Sequence, residues 1–267
     1  MSKASNSKSY CFCTLAFRKE YRNFAKQLAK DLESFSPGTQ LFVATDNPKD
    51  FKDSPNVTSL KCVQENPLFP YNDKLQAIKM AIANFQTVIF VDADSRMTDY
   101  FNEDINWSPG MVVYCDLDRS LAKSLKDYYP ERDYELFQKL SEKLGIKRSL
   151  DTISFPMQSL YVISRENGKE QQFIENWNLI SKYLAVHRCA TTSDGYTMAL
   201  AMASVGWEPK MMEEFHSLNR VIKHIGNREG QVGRFNVLEK IEFRLSYYYR
   251  LLIIYLKALK SFGFFFG

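Results

Sequence analysis

The sequence predicts an α/β protein with a parallel, doubly wound sheet. Strand-forming apolar runs recur along the first 110 residues, amphipathic helical stretches separate them, and polar turn chemistry marks the joints. "YCFCTLAF" (10–17) is a buried strand, and Arg18 to Phe35 an amphipathic helix. "SPGT" (36–39) turns the chain into "QLFVATD" (40–46), a strand that ends in a polar loop. "NVTSLKCV" (56–63) is a weaker strand. Tyr71 to Phe85 places Leu75, Ile78, Ala81 and Ile82 on one helical stripe, and "TVIFVDAD" (87–94) returns to the sheet. Ligands of such sheets sit beyond the carboxyl ends of the strands, where Thr14, Asp46, Asp92 and Asp94 fall.

Beyond "SPGMVVYCDL" (108–117), residues 119–152 are highly charged and predicted helical. "MQSLYVIS" (157–164) is a strand. "KEQQFIENWNLISKYLAV" (169–186) and "SDGYTMALAMASVG" (193–206) are helices, the second with Ser193 or Asp194 near its N-cap. The composition shifts at residue 235, which divides the chain into a 1–234 domain and a 235–267 amphipathic helical tail.

The 267 residues, 45% hydrophobic and 25% charged, describe an ordinary globular protein of one domain with an appendage. A net charge of +4 leaves no nucleic-acid footprint. Five scattered cysteines (11, 13, 62, 115 and 189) suggest free thiols in a reducing compartment, and Cys11 and Cys13 lack a second pair for a zinc site. The polar start "MSKASNSKSY" has no signal-peptide core, and no ~20-residue apolar run spans a bilayer, so the cytoplasm is the expected location. Neither GxGxxG nor GxxxxGK[ST] occurs, against a dinucleotide enzyme or a P-loop NTPase.

Asp92 and Asp94, one residue apart at the end of an apolar run, admit three readings. They cap a turn, as Asp often does. They belong to a phosphatase-type nucleophile motif, although Arg96 or Met97 stands where that motif has Thr or Val and three strands precede it. Or they hold a cation. On an extended segment residues i and i+2 point the same way, and two such carboxylates repel unless a cation lies between them. A hard ion such as Mg²⁺ or Mn²⁺ takes oxygen ligands and shares them with substrate phosphates.

"YNDKLQAIKMAIANFQTVIFVDADSRMTDYF" (71–101) resembles the donor-site segment of GT-A glycosyltransferases, most closely the glycogenin and lipopolysaccharide-galactosyltransferase group, family 8. Lys74–Leu75, Asp92–Asp94 and Asp99–Phe101 take the places of its "KL", D-x-D and "D-x-F"-like elements. "MQSLYVISRENGKEQQFIENW" (157–177) is similar to its "NSG" strand and following helix, and "TSDGYTMALAMASVGW" (192–207) to its "DQ-x-x-LN" helix start. "KHIGN" (223–227) resembles its late "H-x-x-G" element, with one residue fewer between His and Gly. The ordered set spans about residues 8–230.

The resemblance implies a GT-A (Rossmann-like) αβα sandwich with a mostly parallel mixed sheet. It implies a metal-dependent transferase that moves a sugar from a nucleotide-diphosphate donor, UDP-sugar favoured, to a glycan or lipid-linked acceptor. Retention and surface polysaccharide synthesis are further implications. Asp92, Asp94 and His224 would hold Mn²⁺ or Mg²⁺ against the diphosphate, with Asp92 also reaching the ribose. His216 is a substitute ligand of lower rank, and His187 matches no motif. Lys74 would sit over the donor phosphates or sugar. Thr14, Leu15 and Ala16 would line the base through their backbone, Arg18 would meet phosphates or base, and Asp46 base or ribose. Asp194 would contact the donor sugar or act as general base on the acceptor hydroxyl. Gln158 and Ser159 stand in the "NS" places, near the reacting sugar.

Two departures stand out. Leu160 replaces the glycine of "NSG", and "NREGQVGRF" replaces the "KPW" after the late His–Gly element, leaving Arg228 or Lys223 to supply its positive charge. In the tail, Leu238, Ile241, Leu245, Tyr248, Leu252, Tyr255 and Leu259 recur at spacings of three and four beside Arg244, Arg250, Lys257 and Lys260. Such a helix packs on the domain, joins two subunits as a homodimer, or lies on an anionic membrane at its cytoplasmic face. A non-catalytic nucleotide-sugar or glycan binder is the alternative function.

Overall fold

The computed structural model describes residues 8–66, 70–191, 193–226 and 237–267, with the side chains of 70, 116–118, 237–240, 242 and 243 outside the description. The chain begins with β1 (Tyr10–Ala16), α1 (Arg18–Phe35), β2 (Leu41–Thr45), β3 (Val57–Lys61), α2 (Lys74–Ile82) and β4 (Thr87–Val91). β5 (Ser95–Met97), β6 (Gly110–Ser120), α3 (Leu121–Tyr128), α4 (Glu131–Lys143) and β7 (Ser154–Ser164) follow. The chain then forms α5 (Lys169–Val186), α6 (Asp194–Ser204), α7 (Glu213–Val221), β8 (Ile222–His224), α8 (Val237–Leu259) and α9 (Phe262–Phe266).

The main sheet has the order β3-β2-β1-β4-β7-β6. β3, β2, β1 and β4 run parallel, while β7 lies antiparallel between β4 and β6. Strand alternation divides the core in two. Cys11, Cys13, Phe90 and Tyr161 face a cluster built with α2, α5 and α6, whereas Phe12, Val43, Ile89 and Val162 face α1 and α7. The result is a Rossmann-like αβα sandwich on a mostly parallel mixed sheet, the layering expected from the sequence.

Several elements depart from the sequence reading. The helix expected from Tyr71 opens as a single 3-10 turn, Pro70–Asp73, before α2 starts at Lys74. The charged stretch 119–152 contains the end of β6 and two helices, with Pro130 at the N-cap of α4 because its ring cannot continue α3. β5 and β8 are three residues each, too short to show a periodicity. All five cysteines are free.

Among the described residues no helix is long and apolar enough to cross a membrane. α8 packs on the domain through Ile254 and Ala258, and the Tyr255 hydroxyl donates to the Val186 carbonyl at 2.8 Å. Phe265 of α9 is buried, and its carbonyl lies 2.7 Å from His187 Nε2. Five members of the three-and-four stripe read from the sequence, Ile241, Leu245, Tyr248, Leu252 and Leu259, are exposed instead, Tyr255 turns to the domain, and the side chain of Leu238 lies outside the described residues. A helix apolar on much of its circumference has more than one stripe to offer, and α5 takes the one carrying Ile254 and Ala258.

Candidate active site

β4 ends at Val91, so the two aspartates stand on a turn rather than on the extended segment that the alternation argument assumed. The Asp92 N–H donates to the Ser159 carbonyl at 2.9 Å, and the Asp92 carbonyl accepts the Ser95 N–H at 3.0 Å. This closed turn leads directly into β5. There Ser95 pairs with His224 of β8, and the Ile225 N–H donates to the Asp94 carbonyl at 3.0 Å. Arg96 anchors the strand through a two-pronged ion pair with Asp31 of α1, at 2.5 and 2.6 Å.

That small sheet delivers a late histidine to the aspartates. One ligand atom from each of Asp92, Asp94 and His224 lies within 4.8 Å of the others, and His224 Nδ1 is 3.4 Å from Asp94 Oδ1. Two carboxylates and an imidazole suit a divalent cation that keeps open positions for a substrate. His216 is outside this cluster; it is exposed, with the Tyr114 ring edge-on at 6.3 Å. His187 is occupied at the α9 contact.

Beside the cluster opens a cleft of about 830 Å³ that brings Lys74, Asp92, Gln158, Ser159, Asp194 and His224 to one surface. Lys74 forms its floor. Its ammonium is 2.9 Å from Asp92 Oδ1 and 2.9 Å from Asp194 Oδ2, and it donates to the Gln158 carbonyl at 3.1 Å. Burial would pull the Lys74 ammonium down, but Asp194 and Asp92 outweigh it and hold it above its usual value. Asp194 is 2% exposed; burial pushes its carboxyl up, and Lys74 draws it partly back.

Local sequence explains these positions. Asn72 Oδ1 accepts the Trp177 indole N–H and, at 2.7 Å, the Thr197 hydroxyl, tying the entry of α2 to α5 and α6. Ser193 is the N-cap of α6, its Oγ accepting the Gly195 N–H at 3.3 Å, so Asp194 is free of that duty and turns to Lys74.

The residues expected around a base lie at the carboxyl ends of β1 and β2 and do not line the cleft. Thr14 and Ala16 are fully buried and Leu15 is half-buried. Arg18 turns into α1 with φ of 67°, in the left-handed region, and its N–H donates to Asp46 Oδ2 at 3.2 Å. Asp46 is also held by Arg22 at 2.6 Å. Phe101 is in the core and Asp99 is exposed. Lys223 is exposed on β8, and Arg228 lies outside the described residues.

The cleft also gathers Tyr71, Tyr114, Arg119, Phe155 and Met157, which the sequence reading did not single out. Arg119 packs against the Phe155 and Tyr128 rings, 5.0 and 4.9 Å from their centroids. Its position follows from the register shifts between β6 and β7, for which the sequence carries no local signal.

No family model and no curated protein matches the chain. Among solved structures it is similar to the galactosyltransferase LgtC in complex with donor and acceptor sugar analogues. That likeness has a TM-score of 0.47 and 12% identity over 71% of this chain and 69% of the other.

Proposed function

We propose that the protein is a metal-dependent glycosyltransferase acting on a nucleotide-diphosphate sugar. The observation that carries the reading is the meeting of Asp92, Asp94 and His224, from two distant segments, at the edge of a cleft floored by Lys74 and Asp194. Asp92, Asp94 and His224 would hold Mn²⁺ or Mg²⁺, which when bound offsets the charge developing on a departing nucleoside diphosphate. Lys74 orients Asp92 and Asp194 and fixes the distance between the diphosphate end and the sugar end of the cleft. Asp194, buried against Lys74, would contact the donor sugar, the role that goes with the retaining transfer the family resemblance implies. UDP-sugars are the favoured donors, and a glycan or lipid-linked glycan is the acceptor. Thr14, Leu15, Ala16, Arg18 and Asp46 are the candidates for the base and ribose end.

The outward face of α8, with Leu245, Tyr248, Leu252 and Leu259 beside exposed Arg244, Lys257 and Lys260, suits contact with an anionic membrane surface. A lipid-linked acceptor would be reached there.

The transferase reading is tested by screening nucleotide-sugars with and without Mn²⁺, by thermal shift and donor hydrolysis, alongside Asp94→Ala. A metal-dependent response to one nucleotide-sugar, abolished in the variant, is expected. No response to any nucleotide-sugar under any metal condition would refute the reading.

A further inference from the structure

The first turn of α6 carries a glycine that its backbone does not require. Gly195 is the second residue of the helix and does not occupy the left-handed region. Alanine there is the better helix former. The space around it is the constraint. A Cβ on Gly195 would lie 2.3 Å from Gln158 Nε2, and 2.9 Å from both Gln158 Cδ and Phe155 Cζ. The volume that any side chain at 195 would take is already filled by the amide of Gln158.

That amide is half-buried, lines the cleft beside Lys74 and Asp194, and has no hydrogen-bond partner among the described residues. Its own backbone carbonyl is held by Lys74 at 3.1 Å, so the residue is anchored at one end and unspent at the other. A carboxamide presents a donor and an acceptor side by side, the complement of neighbouring hydroxyls. It carries no charge, and Lys74, the ammonium beside it, is already paired with Asp92 and Asp194, so it does not call for an anionic group at this end of the cleft. A neutral polyhydroxyl group fits.

We propose that Gly195 is a positioning residue: its missing side chain admits the Gln158 amide to the cleft, where the amide reads the hydroxyls of the ligand's sugar. The inference rests on the glycosyltransferase reading and assigns the sugar end of the site to this pair.

The test is a double-mutant cycle of Gly195→Ala and Gln158→Ala. Each protein is measured for melting temperature, for kcat and KM with the nucleotide-sugar selected by the screen above, and for affinity toward its nucleoside diphosphate alone. Because the crowded atoms are the end of a flexible side chain and one ring edge, Gly195→Ala is expected to fold. Each single variant should lose about tenfold in kcat/KM, the size of one lost hydrogen bond, with affinity for the nucleoside diphosphate unchanged. The double variant should be no worse than Gln158→Ala, and Gly195→Ala should cost less melting temperature in that background than in wild type, because only the Phe155 ring edge then remains in the way. If Gly195→Ala does not melt cooperatively, Gln158→Ala carries the test through its split between sugar-bearing and sugar-free nucleotide. Losses that multiply, an unchanged kcat/KM, or an equal loss of nucleoside diphosphate affinity would overturn the inference. A wild-type protein inert to every nucleotide-sugar overturns the transferase reading itself, whereas an active wild type with unaffected variants overturns this inference alone.

Discussion

Lys74 Nζ stands 2.9 Å from Asp92 Oδ1 and 2.9 Å from Asp194 Oδ2, so one buried ammonium joins the turn after β4 to the start of α6. Removing it strands Asp194, which is 2% exposed, without a counter-charge. Lys74→Met is expected to cost about 3 kcal/mol of stability and to lower the melting temperature by roughly 10 °C. Calorimetry checks this. A loss under about 1 kcal/mol, within the range of an ordinary surface ion pair, would mean that Lys74 does not neutralise Asp194.

His224 is the exposed member of the proposed cation site, with 48% of its side chain accessible. His224→Ala should therefore leave the metal-free protein as stable as wild type, within about 0.5 kcal/mol. Its affinity for Mn²⁺ should fall by at least about tenfold, since even an outer-shell partner of a metal site is worth that much. Titration calorimetry with Mn²⁺ decides, and equal affinities would remove His224 from the ligand set.

Asp73, ahead of α2, sets a pH dependence. Burial pushes its carboxyl from 3.8 up to about 7, even though Asn66 and the Glu65 and Asn66 N–H groups donate to it. Between about pH 4 and pH 7 the folded chain keeps a proton that the unfolded chain has released, so this group makes stability fall as pH rises through that window. Asp73→Asn should flatten that slope. Urea midpoints of both proteins at half-unit pH steps measure it, and parallel curves would contradict the assignment.

The outward stripe of α8 gives a fourth expectation. Leu245→Glu with Leu252→Glu changes exposed positions only, at 67% and 55% exposure, so melting should not move. Co-sedimentation with vesicles rich in anionic lipid should drop sharply if the face contacts membrane. Wild-type protein that stays in the supernatant at low salt would rule that contact out.

Much of the fold was legible because its signals are local. α1 and α5 follow from helical periodicity, and β1, β2 and β4 from apolar runs bounded by polar turns. Candidate ligands could be named at Asp92 and Asp94 because like charges beside a strand end need an explanation. Other features depended on pairing between distant segments. β5 and β8 carry no periodic signature, yet their register places His224 against Asp94. Among its described residues, the seam read in α8 meets the domain only at Tyr255, for a related reason. A helix with several apolar stripes does not state which one its partner will take.

The sequence by itself determined the strand–helix alternation, the placement of acidic residues after β4, and the absence of a phosphate-binding glycine loop. Those depend on side-chain period and turn chemistry, which act over a few residues. Only the tertiary structure decided that Lys74 lies between Asp92 and Asp194, that Arg119 and Phe155 join the cleft, and that Gln158 fills the space beside Gly195. Each is a meeting of side chains far apart in the chain, set by sheet register and close packing rather than by any neighbour in sequence.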